Sequence, residues 1–280
     1  MADMTEEQKK RMEEEQKRLD TNLQDIQNKI AVFSGKGGVG KTTVSVNLAC
    51  GLQKLGVSTG ILDADVTGPN VPKMLGLQGR LASRNSQIVP LDYHGVKVIS
   101  IASMLDPDQP VIWRGPMRSK LISQFLSDAD WGNLSYLIAD LPPGTGDEIL
   151  TIMQKMKPNM AIIVTTPQDV SVMDARRAIR MAQKMKIPHI AVIENMSGLI
   201  CPHCGEHIDL FGVGGGEKQA IELDIPFLGA LPVDFQARQL SDEGKSYVFE
   251  LPDAPITQIT MDIAKKLKEI ITQPVSANVG

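Results

Sequence analysis

The chain has 280 residues, 42% of them apolar and 22% charged, and carries a formal net charge of −4. That length suits one α/β domain around a single core, the slight acidity leaves no electrostatic footprint for nucleic acid, and no apolar run approaches the roughly 20 residues that span a bilayer. With an N-terminus too acidic and polar for a signal peptide and only three cysteines, the expectation is a cytoplasmic protein without disulfides and without a membrane or nucleic-acid partner.

Residues 1–28 read as a charged helical arm. Glu6/Lys10, Glu7/Arg11, Glu13/Lys17 and Glu14/Arg18 are i,i+4 pairs with the acid first, the better order for a helix. Met12, Leu19 and Ile26, with Leu23 and Ile30, add a thin apolar seam. The seam suits a charged helix lying on the domain better than a coiled coil, for which it is too short.

Residues 29–272 alternate apolar β-rich runs with amphipathic stretches. Strands are expected over 30–34, 58–63, 96–101, 136–140, 161–165, 190–194 and 227–230, and helices over 41–55, 117–129, 146–155, 170–186, 216–223 and 256–272. Several strands are continuously apolar, as when helices cover both faces of a parallel sheet. The fold class is therefore α/β, a doubly wound and mainly parallel sheet with ligands outside the carboxyl ends of its strands. Residues 273–280 read as a flexible tail.

The most informative stretch is Gly35-Lys36-Gly37-Gly38-Val39-Gly40-Lys41-Thr42-Thr43. It fits the phosphate-loop pattern G-x4-G-K-[ST], follows an apolar run and opens a helix, which is the context the motif requires. Its glycines let successive N–H groups face phosphate oxygens, and the helix N-terminus adds positive potential. Lys41 is expected on the β- and γ-phosphates and the Thr42 hydroxyl on magnesium. Downstream, Asp63-Ala64-Asp65 ends the second strand and leads into Gly68-Pro69. Asp63 is expected in the magnesium shell, and Asp65 is expected to orient the attacking water. Asp140 ends another apolar strand in the Walker B manner, a further magnesium residue, and Pro142-Pro143-Gly144 then forces a rigid exit that brings the Gly144 N–H toward the γ-phosphate. No Asn-Lys-x-Asp guanine signature occurs, so ATP is the expected nucleotide. Asn195, at a strand end, is expected near the base.

Cys201-Pro202-His203-Cys204-Gly205 lies in what reads as a loop between Ser197 and Phe211, a metal-binding segment over 198–211. A redox dithiol wants a helix N-terminus, whereas a knuckle bonds its turn N–H groups to sulfur. A knuckle supplies two ligands, and zinc or an iron–sulfur cluster wants four. The others can come from His203 and His207 or from the same pair in a second subunit. Cys50 reads as a small buried hydrophobe.

The loop with its extra Lys36 resembles the deviant Walker A group that includes MinD, ParA and nitrogenase iron protein. The chain is further similar to the Mrp/ApbC branch, the iron–sulfur cluster carriers. The match runs from Lys29 to Leu251 and adds Trp113-Arg114-Gly115-Pro116-Met117, Glu194-Asn195-Met196-Ser197 and the cysteine pair. The resemblance implies a homodimer in which Lys36 acts in trans on the partner's nucleotide. It also implies a [4Fe-4S] cluster bridged by Cys201 and Cys204 of both subunits and passed to apo-proteins, with ATP and Mg2+ as cofactors and zinc an acceptable substitute at the thiols. Some relatives carry an N-terminal cysteine cluster, and here the arm has none, so no permanent second cluster is expected. Two other functions compete: a MinD/ParA-like positioning ATPase, which leaves the cysteines unexplained, and a dimeric ATPase with structural zinc.

Overall fold

The computed structural model describes residues 6–85, 87–104, 115–144, 146–201 and 203–273. Trp113 and Arg114, Thr145, Pro202 and all but the first residue of the tail, singled out above, lie outside the described residues. In chain order the elements are α1 (Glu6–Gln24), β1 (Ile26–Phe33), α2 (Lys41–Lys54), β2 (Thr59–Asp63), α3 (Val71–Met74), β3 (Ala82–Arg84), β4 (Gln87–Val89), β5 (Leu91–Tyr93), β6 (Val96–Ser100), α4 (Gly115–Asp128), β7 (Leu134–Asp140), α5 (Asp147–Met156), β8 (Met160–Thr165), α6 (Asp169–Lys184), β9 (His189–Ile200), β10 (His207–Ile208), α7 (Gly215–Glu222), β11 (Phe227–Val233), α8 (Phe235–Asp242), α9 (Tyr247–Glu250) and α10 (Pro255–Thr272).

Nine strands form one sheet in the order β10-β9-β8-β1-β7-β2-β6-β5, with β11 also on β9. All neighbours run parallel except β5 on β6 and β10 on β9. Two apolar layers cover the two faces. One packs Leu19 of α1, Phe125 of α4, Ile152 of α5 and Ile179 of α6 under the sheet. The other packs Leu48 of α2, Tyr247 of α9 and Leu267 of α10. Continuous apolar strands are what such two-sided burial requires.

Parallel register decides the site. Asp63 of β2 pairs with Asp140 of β7, and Val32 of β1 pairs with Asp140 as well. Register partners in a parallel sheet share a face, so two carboxylates meet where the phosphate loop leaves β1.

Several boundaries differ from the sequence reading. β1 begins at Ile26 rather than Ile30, so the arm ends sooner: α1 closes at Gln24. Asn22 caps α4, donating from Nδ2 to the Leu126 and Ala129 carbonyls at 2.7 and 2.9 Å. Leu19 and Leu23 bury against the same helix. The strand expected to end at Glu194 continues to Ile200, so Asn195 lies within β9 and the cysteine pair follows a strand rather than sitting in a long loop. The helices α3, α8 and α9 and the short strands β3, β4, β5 and β10 were not anticipated.

Candidate functional site

The phosphate loop turns through two left-handed glycines, Gly38 at φ 80° and Gly40 at φ 78°, a region side chains avoid. Gly40 caps α2, whose first residue is Lys41. Gly35 packs so closely on α6 that an added Cβ would lie 2.2 Å from the Asp174 carbonyl oxygen. The Ser34 hydroxyl ties the turn by donating to the Lys36 carbonyl at 2.7 Å.

Lys41 reaches inward, its Nζ 2.8 Å from Asp140 Oδ1, with side-chain exposures of 7% and 0%. The Thr42 hydroxyl donates to Asp140 Oδ2 and the Ser45 hydroxyl to Oδ1, both at 2.7 Å. Ser45 was missed in the sequence, although its position one helical turn after Lys41 puts it on the same face. Asp63 is buried beside this group, accepting from the Ser100 hydroxyl at 2.9 Å and from the Asp65 and Val71 N–H groups at 3.3 and 3.2 Å. Burial first, then the neighbouring Asp140 charge, pushes the Asp63 carboxyl up to about 8. Two buried carboxyl groups thus face a single lysine, and a divalent cation beside them would let both ionise. The oxygens of Thr42, Asp63 and Asp140 are the hard donor set magnesium favours, so these residues fit the ion expected of them.

Asp65 Oδ1 accepts from the Thr67 hydroxyl at 2.7 Å and the Gly68 N–H at 3.3 Å, holding the turn after β2. The Gly144 N–H donates to the Ser34 carbonyl at 2.9 Å. This ties the turn after β7 to the residue that precedes the phosphate loop. Asn195 Nδ2 donates to the Val39 carbonyl at 2.9 Å, and a Cβ on Gly40 would meet that nitrogen at 2.1 Å. Asn195 therefore braces the loop, and it also lines a cleft of about 630 Å³ running from Gly40 and Thr43 to Pro232, Val233 and Phe211. The β11–α8 wall of that cleft carries no motif and was not foreseen.

Cys201 and Cys204 sit in the turn between β9 and β10, closed by Cys201 N–H to the Glu206 carbonyl and Gly205 N–H to the Cys201 carbonyl, each 2.9 Å. The His203 N–H, then the Cys204 N–H and thiol, bond to the Cys201 sulfur and hold its thiol below the ordinary range. Turn N–H groups directed at sulfur favour the thiolate form of Cys201. His207 Nδ1 pairs with Asp209 Oδ1 at 3.0 Å, and the other edge of its ring lies against Gly198. Among the described residues no group of three or more His, Cys, Asp or Glu side chains is arranged around a metal position. Cys50 is buried, its thiol pushed up to about 12 by burial. Behind the hairpin, buried Glu194 accepts from the Ser197 hydroxyl at 2.6 Å and from the Gly214 and Gly216 N–H groups at 2.8 and 2.6 Å.

A phosphate loop on a mainly parallel sheet, with Lys41 and Asp140 closing its floor, defines a P-loop NTPase. The chain belongs to the ParA family in its NUBPL iron-transfer P-loop NTPase form, whose family model matches residues 25–268. It is 51% identical over 251 residues to an iron-sulfur cluster carrier protein of Pyrococcus horikoshii, covering 85% of each chain. It is 42% identical over 248 residues to the iron-sulfur cluster transfer protein NUBPL of Dictyostelium discoideum, covering 88% of this chain and 77% of that one. Among solved structures, a nucleotide-binding protein of Archaeoglobus fulgidus in complex with ADP superposes with TM-score 0.74 at 40% identity, over 82% of this chain and 91% of that one. The cell division ATPase MinD of Pyrococcus furiosus shares the fold, with TM-score 0.66 at 21% identity, over 87% of this chain and 99% of that one. No helix among the described residues is long and apolar enough to cross a membrane.

Proposed function

We propose that this chain is an ATP-dependent iron–sulfur cluster carrier that holds a [4Fe-4S] cluster between two subunits and hands it to apo-proteins. The observation that carries the reading is the thiol knuckle on the β9–β10 turn, at the same carboxyl edge of the sheet as the phosphate loop. Cys204 is exposed and Cys201 partly so, as a transferable cargo requires. A cluster of this kind wants four thiolates and one chain offers two, so two copies complete it. The relatives' printed names, carrier and transfer protein, support the same cargo.

ATP would lie on the backbone of residues 35–43, with Lys41 on its outer phosphates and the base beside Asn195. Magnesium would be held by Thr42, Asp63 and Asp140, supplying charge neutralisation on the phosphates. Lys41 would then exchange Asp140 for phosphate. Asp65 orients the attacking water, and Lys36 at the outer lip touches the nucleotide of the second subunit. The charged helix α1 forms an accessory arm to this ATPase domain, which runs from β1 to residue 272.

The test is transfer to an apo form of a [4Fe-4S] enzyme whose activity reports the cluster. Carrier loaded anaerobically with iron and sulfide should activate it faster with ATP and magnesium than without. Asp65→Asn protein should lose the ATP response yet still hold iron. Activation no faster than from free iron and sulfide would contradict the carrier reading.

A further inference from the structure

The cysteine hairpin is rooted at both ends in the cleft that leads away from the phosphate loop. Asn195 and Met196, where the chain enters the hairpin, and Leu210 and Phe211, where it leaves, all line this space with Thr43 and Pro232. Its volume of about 630 Å³ lies in the range of small-molecule sites. The phosphate loop fixes which end takes phosphates, because Thr42 and Thr43 stand in the first turn of α2. The space between Thr43 and Pro232 is therefore left for the nucleoside. Leu210 is 53% exposed, an apolar surface available for a flat ring to cover.

The backbone around the hairpin turns through several left-handed positions. Met196 holds φ 58°, which strains a side-chain-bearing residue, and Gly198, Gly212 and Gly214 stand at φ 74°, 85° and 80°. Glu194 ties Ser197 on the entering leg to Gly214 and Gly216 beyond the leaving leg, so both legs share one buried anchor.

We infer that the base of the bound nucleotide packs on Leu210 and Phe211, so that nucleotide and metal occupancy are linked through the hairpin itself. The inference rests on the carrier reading for the identity of the metal. Such a linkage is reciprocal: whatever nucleotide does to cluster affinity, the cluster does to nucleotide affinity.

The experiment measures ADP affinity by calorimetry before and after anaerobic loading with ferrous iron and sulfide, counting iron on each sample. Loading should change the ADP Kd by about fivefold or more. Leu210→Ala and Phe211→Ala should each weaken ADP binding and reduce the loading-dependent change to less than about twofold. Inorganic tripolyphosphate, which has no base, should bind loaded and unloaded protein alike. Leu210 is half-exposed, so its variant keeps the fold even if Phe211→Ala does not. Unchanged ADP affinity in the folded variants, or an equal loading dependence for tripolyphosphate, overturns the inference. Failure to take up cysteine-dependent iron is a separate outcome, read from the iron count. It removes the carrier reading and the linkage with it, while the two variants still decide whether the base touches the hairpin.

Discussion

Replacing Lys41 by alanine should destabilise the nucleotide-free protein as well as abolish phosphate binding. Lys41 Nζ stands 2.8 Å from Asp140 Oδ1, and the carboxylate is fully buried. After the change the Thr42 and Ser45 hydroxyls still donate to Asp140, but the charge has lost its cation and keeps Asp63 as a neighbour. Removing one partner of a buried pair costs about 3–5 kcal/mol, and the surviving hydroxyls put this variant at the lower end, about 3 kcal/mol. For a chain of this size, each kcal/mol moves Tm by roughly 2–4 °C, which gives a fall of about 6–12 °C. Scanning calorimetry without nucleotide or magnesium measures it. Lys41→Ala/Asp140→Asn removes the stranded charge too and should recover most of the loss. A Lys41→Ala protein melting within about 2 °C of the parent would refute the view that this pair carries the floor of the site. The practical consequence is that loss of activity in Lys41→Ala needs a melting curve beside it.

Other consequences follow from the same geometry. Burial and Asp140 push the Asp63 carboxyl from an ordinary 3.8 up to about 8, so the folded, metal-free protein keeps this acid neutral where the unfolded chain ionises it. Its contribution is complete below about pH 4 and is lost as pH rises towards about 8, so Tm should fall across that window. Asp63→Asn should flatten the fall, and equal slopes in the two proteins would count against it. Gly40→Ala meets both a left-handed φ of 78° and the Asn195 amide at 2.1 Å, and ADP affinity should drop about tenfold or more. Adding Asn195→Ala relieves the contact but not the φ, so recovery should be partial, and full recovery would remove the backbone argument. Glu194→Gln turns a donor toward the Gly214 or Gly216 N–H, at a cost of about 1–3 kcal/mol. Zinc bound at the cysteine pair should pass to a chelator faster, and an unchanged rate would mean that Glu194 does not anchor the hairpin.

What the sequence made legible was local. The phosphate loop, Asp63 and Asp140 each announce themselves by a residue type at a strand end, and parallel pairing then brings them together. The extension of β9 was not legible, because Asn195 reads as a strand-end residue, Met196 and Gly198 take positive φ that the sequence does not display, and the partner strand β10 is two residues long. Pairing of β9 with β11 shifts register over the same stretch, a non-local accommodation that periodicity does not report. The contact of Asn22 with the end of α4 and the cleft wall at Pro232 and Val233 were hidden for the same reason. Each joins segments distant in the chain through groups that carry no motif.

The most direct test of the central claim is the metal count on protein reconstituted anaerobically with iron and sulfide, with subunit stoichiometry taken on the same sample. The account predicts about four irons per dimer, with the charge-transfer absorbance of a cluster, both lost in Cys201→Ala/Cys204→Ala. Zinc that resists replacement, or iron that stays when both cysteines are gone, would contradict it and leave a nucleotide-binding protein with a structural metal.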